Sequence, residues 1–556
     1  MNLRLQKIKK IILNKEFLTV FLIFILALAI RTIYLSSIPF RFHNDEVISG
    51  YIGRFILLNG KDVYGNSWPL FFFNYFGDFR VILPMYINGL STFIFGVNVF
   101  AVRFPSALIG SLIIFPIYSI SKILLGKRKI VYFAPFLIAI LPWHIVLSRA
   151  TSEGIAGLTV FTFGLLFLIK SIQERKIKFL LLSCIALALT YFLYPTFRLL
   201  SPLALLPIPF LLTKDNNRKA YFAAIIFFFL LTFLVSTTNW GSGRFLQTSL
   251  FSSKDIATQV KAKEVALGDA EINVHMANIF DNKIVGYTQQ FVSNYSDYFS
   301  PVFLFIKGGL PDRYVIPDVG LLFISFTIFL LGLLVPASTK LNRKFYLYIL
   351  FLLLLAPLPA ALTVDDIPNM HRSLFMIVPI VLLSTIGICK IVDLLVEKKQ
   401  RIILFGFCVL IISSLLIEFT YFVHQYSVQE PSYKSFSKED GFKEVALDIK
   451  QYEKENKNIV MPLYGALPIY YLFFTNNFDK NLAGTFQTGL IVKKIKNVTF
   501  SENSCPADEN LKKTISLNTV VIEDGDCEIK GNFKEITSVF RRDATKAFKI
   551  LEPIRN

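Results

Sequence analysis

The sequence predicts an all-α polytopic membrane protein with large extracytoplasmic loops and a small C-terminal α/β domain. Three observations predict it. Of its 556 residues, 54% are hydrophobic and only 17% charged, outside the usual composition of soluble domains. Apolar stretches near the roughly 20 residues needed to cross a bilayer recur between positions 17 and 424. The formal charge of +19 is also unevenly placed: the segment 427–556 holds 19 basic and 18 acidic side chains, so the excess lies in the first 426 residues, between apolar runs. Basicity of that kind belongs to membrane topology and not to a nucleic-acid partner.

About eleven transmembrane helices are expected, over 17–35, 103–125, 130–148, 154–172, 178–194, 197–213, 220–239, 318–336, 344–364, 372–396 and 402–424; counting 81–95 would make twelve. With the basic N-terminus (Arg4, Lys7, Lys9, Lys10) in the cytoplasm, the pairs and triplets Lys127-Arg128-Lys129, Arg175-Lys176, Arg218-Lys219, Arg343-Lys344 and Lys398-Lys399 all fall on the cytoplasmic side. A full span at 81–95 would invert every later loop, so that stretch is read as an interfacial or re-entrant helix. The expected organisation is a transmembrane module over 1–426, with outer loops at 36–102 and 240–317, and an extracytoplasmic domain over 427–556. The expected location is a cell membrane.

The C-terminal domain shows an amphipathic helix (442–452), short apolar strands (459–463 and 519–522) and a turn at Asp524-Gly525-Asp526. Acceptor docking, or packing against the second outer loop, is expected of it in place of catalysis. Cys184, Cys389 and Cys408 lie in apolar runs and read as small hydrophobes. Cys505 and Cys527 are the cysteines of the outer domain, an oxidising location in many bacteria, and are expected to pair.

The strongest constellation is Phe42-His43-Asn44-Asp45-Glu46. It precedes a segment in which Val47, Tyr51 and Phe55 recur at i, i+4 and i+8, with Ile48, Ile52 and Ile56 beside them. That pattern predicts an amphipathic helix able to lie in the membrane interface, with the acidic pair at its N-terminus, where the helix dipole favours negative charge. The plain alternative is N-capping by Asn44 or Asp45.

This region resembles the GT-C superfamily of glycosyltransferases, in the branch that holds protein O-mannosyltransferases and the lipid A aminoarabinose transferases. The resemblance continues through Tyr64-Gly65, Pro69, Pro84-Met85-Tyr86, Phe95-Gly96-Val97 and the run Ala101 to Leu108, in order over about the first 170 residues. It implies a transferase that takes a monosaccharide from a polyprenyl-phosphate carrier, with Asp45 as general base and Glu46 as a substrate- or metal-binding neighbour. The residue types suit that chemistry: an attacking hydroxyl needs one positioned carboxylate, and a phosphate leaving group needs no protonating acid at neutral pH, unlike the alcohol released by a glycosidase. One base and one displacement imply inversion at the anomeric carbon.

Other positions are expected to bind substrate. Arg149 and Glu153 flank a break after Pro142-Trp143-His144; relatives often carry Asp where this chain has Glu153, and an i,i+4 ion pair is the alternative. His371-Arg372 opens the tenth span and could meet the lipid phosphate, with Arg244, Arg313 and Lys307 as weaker cations for the same work. His43, Glu46 and His275 are weak metal ligands, without ligand spacing to support them; no cofactor is required, and a divalent metal stays open. The expected partners are the lipid-linked sugar, the bilayer and an acceptor that is a protein, a glycolipid or a glycan. The rival reading from another class is a transporter or flippase for a polyprenyl-linked glycan, which would place charged groups along a mid-membrane path. A non-catalytic scaffold built on the tail would leave the acidic pair without purpose.

Overall fold

The computed structural model describes residues 15–75, 78–211, 218–252, 254–269, 279–508, 516–529 and 532–554. The basic N-terminal residues and His275 lie outside them. The chain divides into two compact units: Met1–Arg31, Leu108–Leu147 and Ser152–Val423 form one, and Thr32–Ala107, Ser148–Thr151 and His424–Asn556 form the other.

Six helices among the described residues are long and apolar enough to cross a membrane: Val99–Leu125, Glu153–Glu174, Arg218–Ser236, Arg343–Ala361, Leu374–Glu397 and Arg401–Ser432. A bent pair, Lys129–Ile140 and Pro142–Arg149, would make a seventh. The remaining expected spans are also helical, as Lys15–Thr32, Ile177–Thr190, Thr196–Leu205 and Ser325–Leu334, the last three shorter than a bilayer needs for an upright helix. The stretch 81–95 becomes the helix Leu83–Phe95 of 13 residues.

In the first unit, the bend at Pro142 shows how a break is tolerated in an apolar setting. Proline has no amide proton and its ring displaces the carbonyl four residues earlier, so the Ile138 carbonyl loses its helical donor. Trp143 N–H donates to Leu321 O instead, which frees the Ala139 carbonyl as well. Arg31, fully buried, donates to both carbonyls at 2.9 and 3.0 Å, and its guanidinium also meets His144 Nδ1 at 2.8 Å. Arginine always donates, so His144 Nδ1 accepts. A charged side chain thus satisfies backbone groups that lipid could not.

The second unit joins the segment 32–107 to the C-terminal region in one hydrophobic core. Helix α1 (Asn44–Asn59) ends where Gly60, at φ 68°, adopts the left-handed conformation and returns its N–H to Ile56 O. A hairpin of β1 (Phe72–Tyr75) and β2 (Asp78–Val81) leads to α2 (Leu83–Phe95), which lies against α1. Their contact requires glycine: a Cβ on Gly53 would fall 1.8 Å from Met85 O, and one on Gly89 2.4 Å from Gly53 C. Helix α3 (Val99–Leu112) follows.

In the C-terminal region, α4 (Phe442–Lys454) and α5 (Leu467–Phe474) accompany a six-stranded sheet. Its strands are β3 (Asn458–Pro462), β4 (Lys494–Ile495), β5 (Val498–Ser501), β6 (Thr519–Asp524), β7 (Phe533–Phe540) and β8 (Lys546–Pro553), in the spatial order β4-β5-β3-β6-β8-β7. Strand β3 runs parallel to both β5 and β6, and the other pairings are antiparallel. Cys505 and Cys527 form a disulfide between the end of β5 and the turn after β6.

The packing of α1 extends beyond the apolar face that its periodicity marks. Val47, Ile48, Tyr51, Ile52, Phe55 and Ile56 are all 2% exposed or less, and Gly50 faces Val102 and Phe473. Tyr51 Oη donates to Asn477 O at 2.9 Å and Asn59 Nδ2 to Phe478 O at 3.2 Å. The side that periodicity left for solvent or lipid is covered chiefly by α2, where Met85 meets Gly53, Asn88 donates to Ser49 Oγ and Thr92 accepts from Arg54, while Phe473 of α5 meets Gly50. Each such fully buried apolar side chain contributes about 1.5–3 kcal/mol, so the helix that begins with the acidic pair is held rigidly.

Candidate active site

The acidic pair occupies the first turn of α1, but the cap is neither Asn44 nor Asp45. His43 takes that position in an extended conformation (φ −69°, ψ 156°). Its Nδ1 accepts the Asp45 amide at 3.1 Å, while Glu46 reaches back to accept the His43 amide on Oε2 at 3.0 Å. This is a capping box with histidine in the serine position.

The two neighbouring carboxylates then enter different environments. Glu46 is 3% exposed and closed in by donors. Arg103, fully buried near the start of α3, grips it as a fork, with Nε to Oε1 at 2.8 Å and Nη2 to Oε2 at 2.9 Å. Thr151 Oγ1 adds a bond to Oε1 at 3.1 Å. The rest of the Arg103 guanidinium donates to the carbonyls of Leu35, Pro39 and Arg41, so one cation fixes both the acid and the chain entering the helix. Planar, five-donor geometry suits arginine to this work, where lysine could not replace it.

Asp45 remains accessible, with its side chain 19% exposed. Arg80 of β2 places Nη1 2.9 Å from Oδ1, and His43 Nδ1 stands 3.8 Å from Oδ2. A bound hydroxyl can therefore approach Asp45 but not Glu46, whose oxygens would first have to leave Arg103.

The segment between Glu430 and Gly441 supplies a third carboxylate. Glu439 Oε1 accepts from Asn44 Nδ2 at 2.9 Å, and its Oε2 lies 3.2 Å from His43 Nε2. The segment is anchored by buried charges: Lys438 on Glu430 at 2.6 Å, and Arg41 on Glu430 and Asp440, each at 3.5 Å, with Arg41 Nη2 donating to Ser435 at 2.9 Å. Behind it Tyr470 donates to the Phe42 carbonyl, and burial raises its phenol well above the usual tyrosine value, so it stays a neutral donor.

Arg149 belongs to the same unit, donating from Nη2 to the carbonyls of Ile33 and Ile38 at 2.8 Å each. It too braces the entry to α1. Glu153, Arg244, His371 and Arg372 belong to the first unit. Glu153 opens the helix that follows the break after Arg149. Arg244 lies within the helix Asn239–Thr248. His371 packs on Tyr314, with ring centroids 4.5 Å apart, and meets Ser152 Oγ at 3.3 Å. Arg372 ties down its own loop, donating from Nη1 to Thr363 Oγ1 and to Asp365 O at 2.8 Å each. Arg313 stacks beside Tyr314, and Lys307 closes the turn Val302–Ile306. Among the described residues no group of three or more His, Cys, Asp or Glu side chains is arranged to hold a metal ion.

Sequence reasoning passed over Arg80, Glu439 and the role of Arg103. Arg103 carried a signal, as a charge at the threshold of an apolar span, which membrane segments rarely admit without a partner. Arg80 and Glu439 carried none, because only the fold brings them to α1.

Residues 80–240 match the family described as dolichyl-phosphate-mannose-protein mannosyltransferase. A search of curated protein sequences finds no match. Among solved structures, ArnT from Cupriavidus metallidurans bound to undecaprenyl phosphate is similar with a TM-score of 0.53 at 12% identity, over 96% of this chain and 97% of that one. The Archaeoglobus fulgidus oligosaccharyltransferase complex with Zn and sulfate gives 0.48 at 12% identity, over 82% of this chain and 61% of that protein's length. The resemblance read in the sequence is thus met at two levels: residues 80–240 are similar in sequence to that mannosyltransferase family, and nearly the whole chain shares the fold of ArnT.

Proposed function

We propose that the protein transfers a monosaccharide from a polyprenyl-phosphate carrier to an acceptor hydroxyl, on the extracytoplasmic face of a cell membrane, by a single inverting displacement. The observation that carries this reading is the division of labour in the acidic pair. Asp45 is an accessible carboxylate on a rigid helix, while Glu46 is locked by Arg103. In the reaction the acceptor oxygen attacks the anomeric carbon, its proton passes to an Asp45 oxygen, and the bond to the carrier phosphate breaks with its electron pair on phosphate oxygen. Arg80 and His43 hold the carboxylate at a fixed angle, and such positioning supplies much of the rate in bimolecular transfers. His371 and Arg372, with Arg244, Lys307 and Arg313 as weaker candidates, are proposed to meet the lipid phosphate, and Arg149 and Glu153 to bind substrate. ArnT, which shares the fold, is known with undecaprenyl phosphate bound, and that supports a carrier of this chemistry.

Asp45→Asn tests the reading. Asparagine keeps the size but does not accept the proton at neutral pH, and the helix retains its His43 cap. Release of free polyprenyl phosphate from a charged donor should fall by a factor of about 100 to 10,000, the usual loss of a general base, at unchanged thermal stability. Near-normal turnover in this variant would defeat the mechanism.

A further inference from the structure

We infer that Glu439, delivered from the C-terminal region, is a positioning residue for Asp45, acting through His43. The inference rests on the reading of Asp45 as the base and assigns a residue to the same site. It begins with a tautomer. His43 Nδ1 accepts the Asp45 amide at 3.1 Å, so that nitrogen must carry a lone pair and the ring proton of the neutral imidazole sits on Nε2. Nε2 faces Glu439 Oε2 at 3.2 Å. A carboxylate at that distance, without the alignment of a hydrogen bond, still attracts the proton-bearing side of the ring by its charge and disfavours the opposite tautomer, which would turn an N–H against the Asp45 amide. The other Glu439 oxygen accepts from Asn44 Nδ2 at 2.9 Å. Glu439 therefore holds the two residues that immediately precede Asp45.

Two features separate this from ordinary packing. The segment carrying Glu439 is already anchored by the Lys438–Glu430 pair and by Arg41 on Glu430, Ser435 and Asp440. Glu439 itself sits at φ 49°, a left-handed conformation that an L-residue rarely adopts, directly before Asp440 and Gly441. Backbone held in such a region by its surroundings points to function; here it aims one side chain at the cap of α1 while its neighbour Asp440 pairs with Arg41.

The test uses the full-length protein in detergent or proteoliposomes, with a polyprenyl-phosphate sugar as donor. In Glu439→Gln the side-chain amide presents an N–H to one of its two partners. Turned toward His43 Nε2, it favours the tautomer that cannot cap α1. The expected result for Glu439→Gln and Glu439→Ala is a kcat lower by about 10- to 100-fold, the scale of a misplaced catalytic group. Donor KM and the melting temperature stay within error, and Glu439→Asp recovers part of the loss. In protein labelled with 15N-histidine, the His43 ring signals should move away from the Nε2–H pattern in Glu439→Gln. Full kcat in both the Gln and Ala variants, with Asp45→Asn inactive, overturns the role of Glu439 and leaves the base in place. An active Asp45→Asn removes the base and this inference together. A fall in stability that matches the fall in rate overturns it as well, since Glu439 would then be a structural residue only.

Discussion

Glu46→Ala should unfold the site, whereas Asp45→Asn should only silence it, and the structure sets the size of the difference. Removing Glu46 leaves the Arg103 guanidinium fully buried with three carbonyl acceptors but without its counter-charge. Breaking a buried ion pair by deleting one member costs about 3–5 kcal/mol, because a desolvated charge is stranded. The capping bond to the His43 amide and the Thr151 bond go with it. The Arg103→Met change on top of Glu46→Ala removes the stranded charge, so the double variant should regain part of the loss. It cannot regain all, since the carbonyls of Leu35, Pro39 and Arg41 lose a buried donor, and each such group left unmade costs about 1–3 kcal/mol. The assay is thermal or denaturant unfolding of the four proteins of this cycle in one detergent, with Asp45→Asn as control. Asp45 is partly exposed and its pair with Arg80 is solvent-accessible, so the control should lie within about 1 kcal/mol of the parent. If Glu46→Ala proves as stable as Asp45→Asn, or if the double variant is simply the sum of the singles, Glu46 is not locked by Arg103. Its place as a direct ligand of substrate would then return.

Two further outcomes follow from topology and from the cations. Tags at Arg128, Lys176, Arg218 and Lys399 should report cytoplasmic, and tags at 250–290 and after residue 430 should report outside, by the alternation of basic loops; a cytoplasmic C-terminal tag, read by protease protection, would defeat the eleven-span arrangement. Arg372→Ala should weaken the donor more than the chemistry, raising KM for the lipid-linked sugar by several-fold, because it frees the loop held through Thr363 and Asp365 and removes a cation but no base; an unchanged KM would show that this arginine only braces its loop.

What the sequence made legible depended on whether the signal was local. Apolar runs marked the helices, since hydropathy needs only neighbours in sequence, and the short strands at 458–462 and 519–524 announced themselves through β-branched residues. The count of spans was less legible. Helices such as Ile177–Thr190 and Thr196–Leu205 are apolar but short, and length separates a tilted or partial crossing from a full one only once the helix ends are known. The capping residue was missed for a different reason. Histidine ranks low among caps, so Asn44 and Asp45 drew attention, although only His43 has the extended backbone that a cap requires.

The deeper limit concerns distance along the chain. Periodicity identified the inner face of α1 through Val47, Tyr51 and Phe55, but could not say that α5, more than 400 positions later, would join the same core. The same holds for charge. Nothing local distinguishes Asp45 from Glu46; one is accessible and the other locked because Arg80 arrives on a hairpin and Arg103 on the next helix. Glu439 comes from 395 positions beyond Asn44. Which of the two carboxylates stays partly exposed is therefore set by Arg103, whose remaining donors are taken by the carbonyls of Leu35, Pro39 and Arg41. Arg103 already serves three carbonyls and cannot swing away from Glu46 without leaving them empty, whereas Asp45 keeps a partly exposed side chain beside Arg80, open on one side to an incoming hydroxyl.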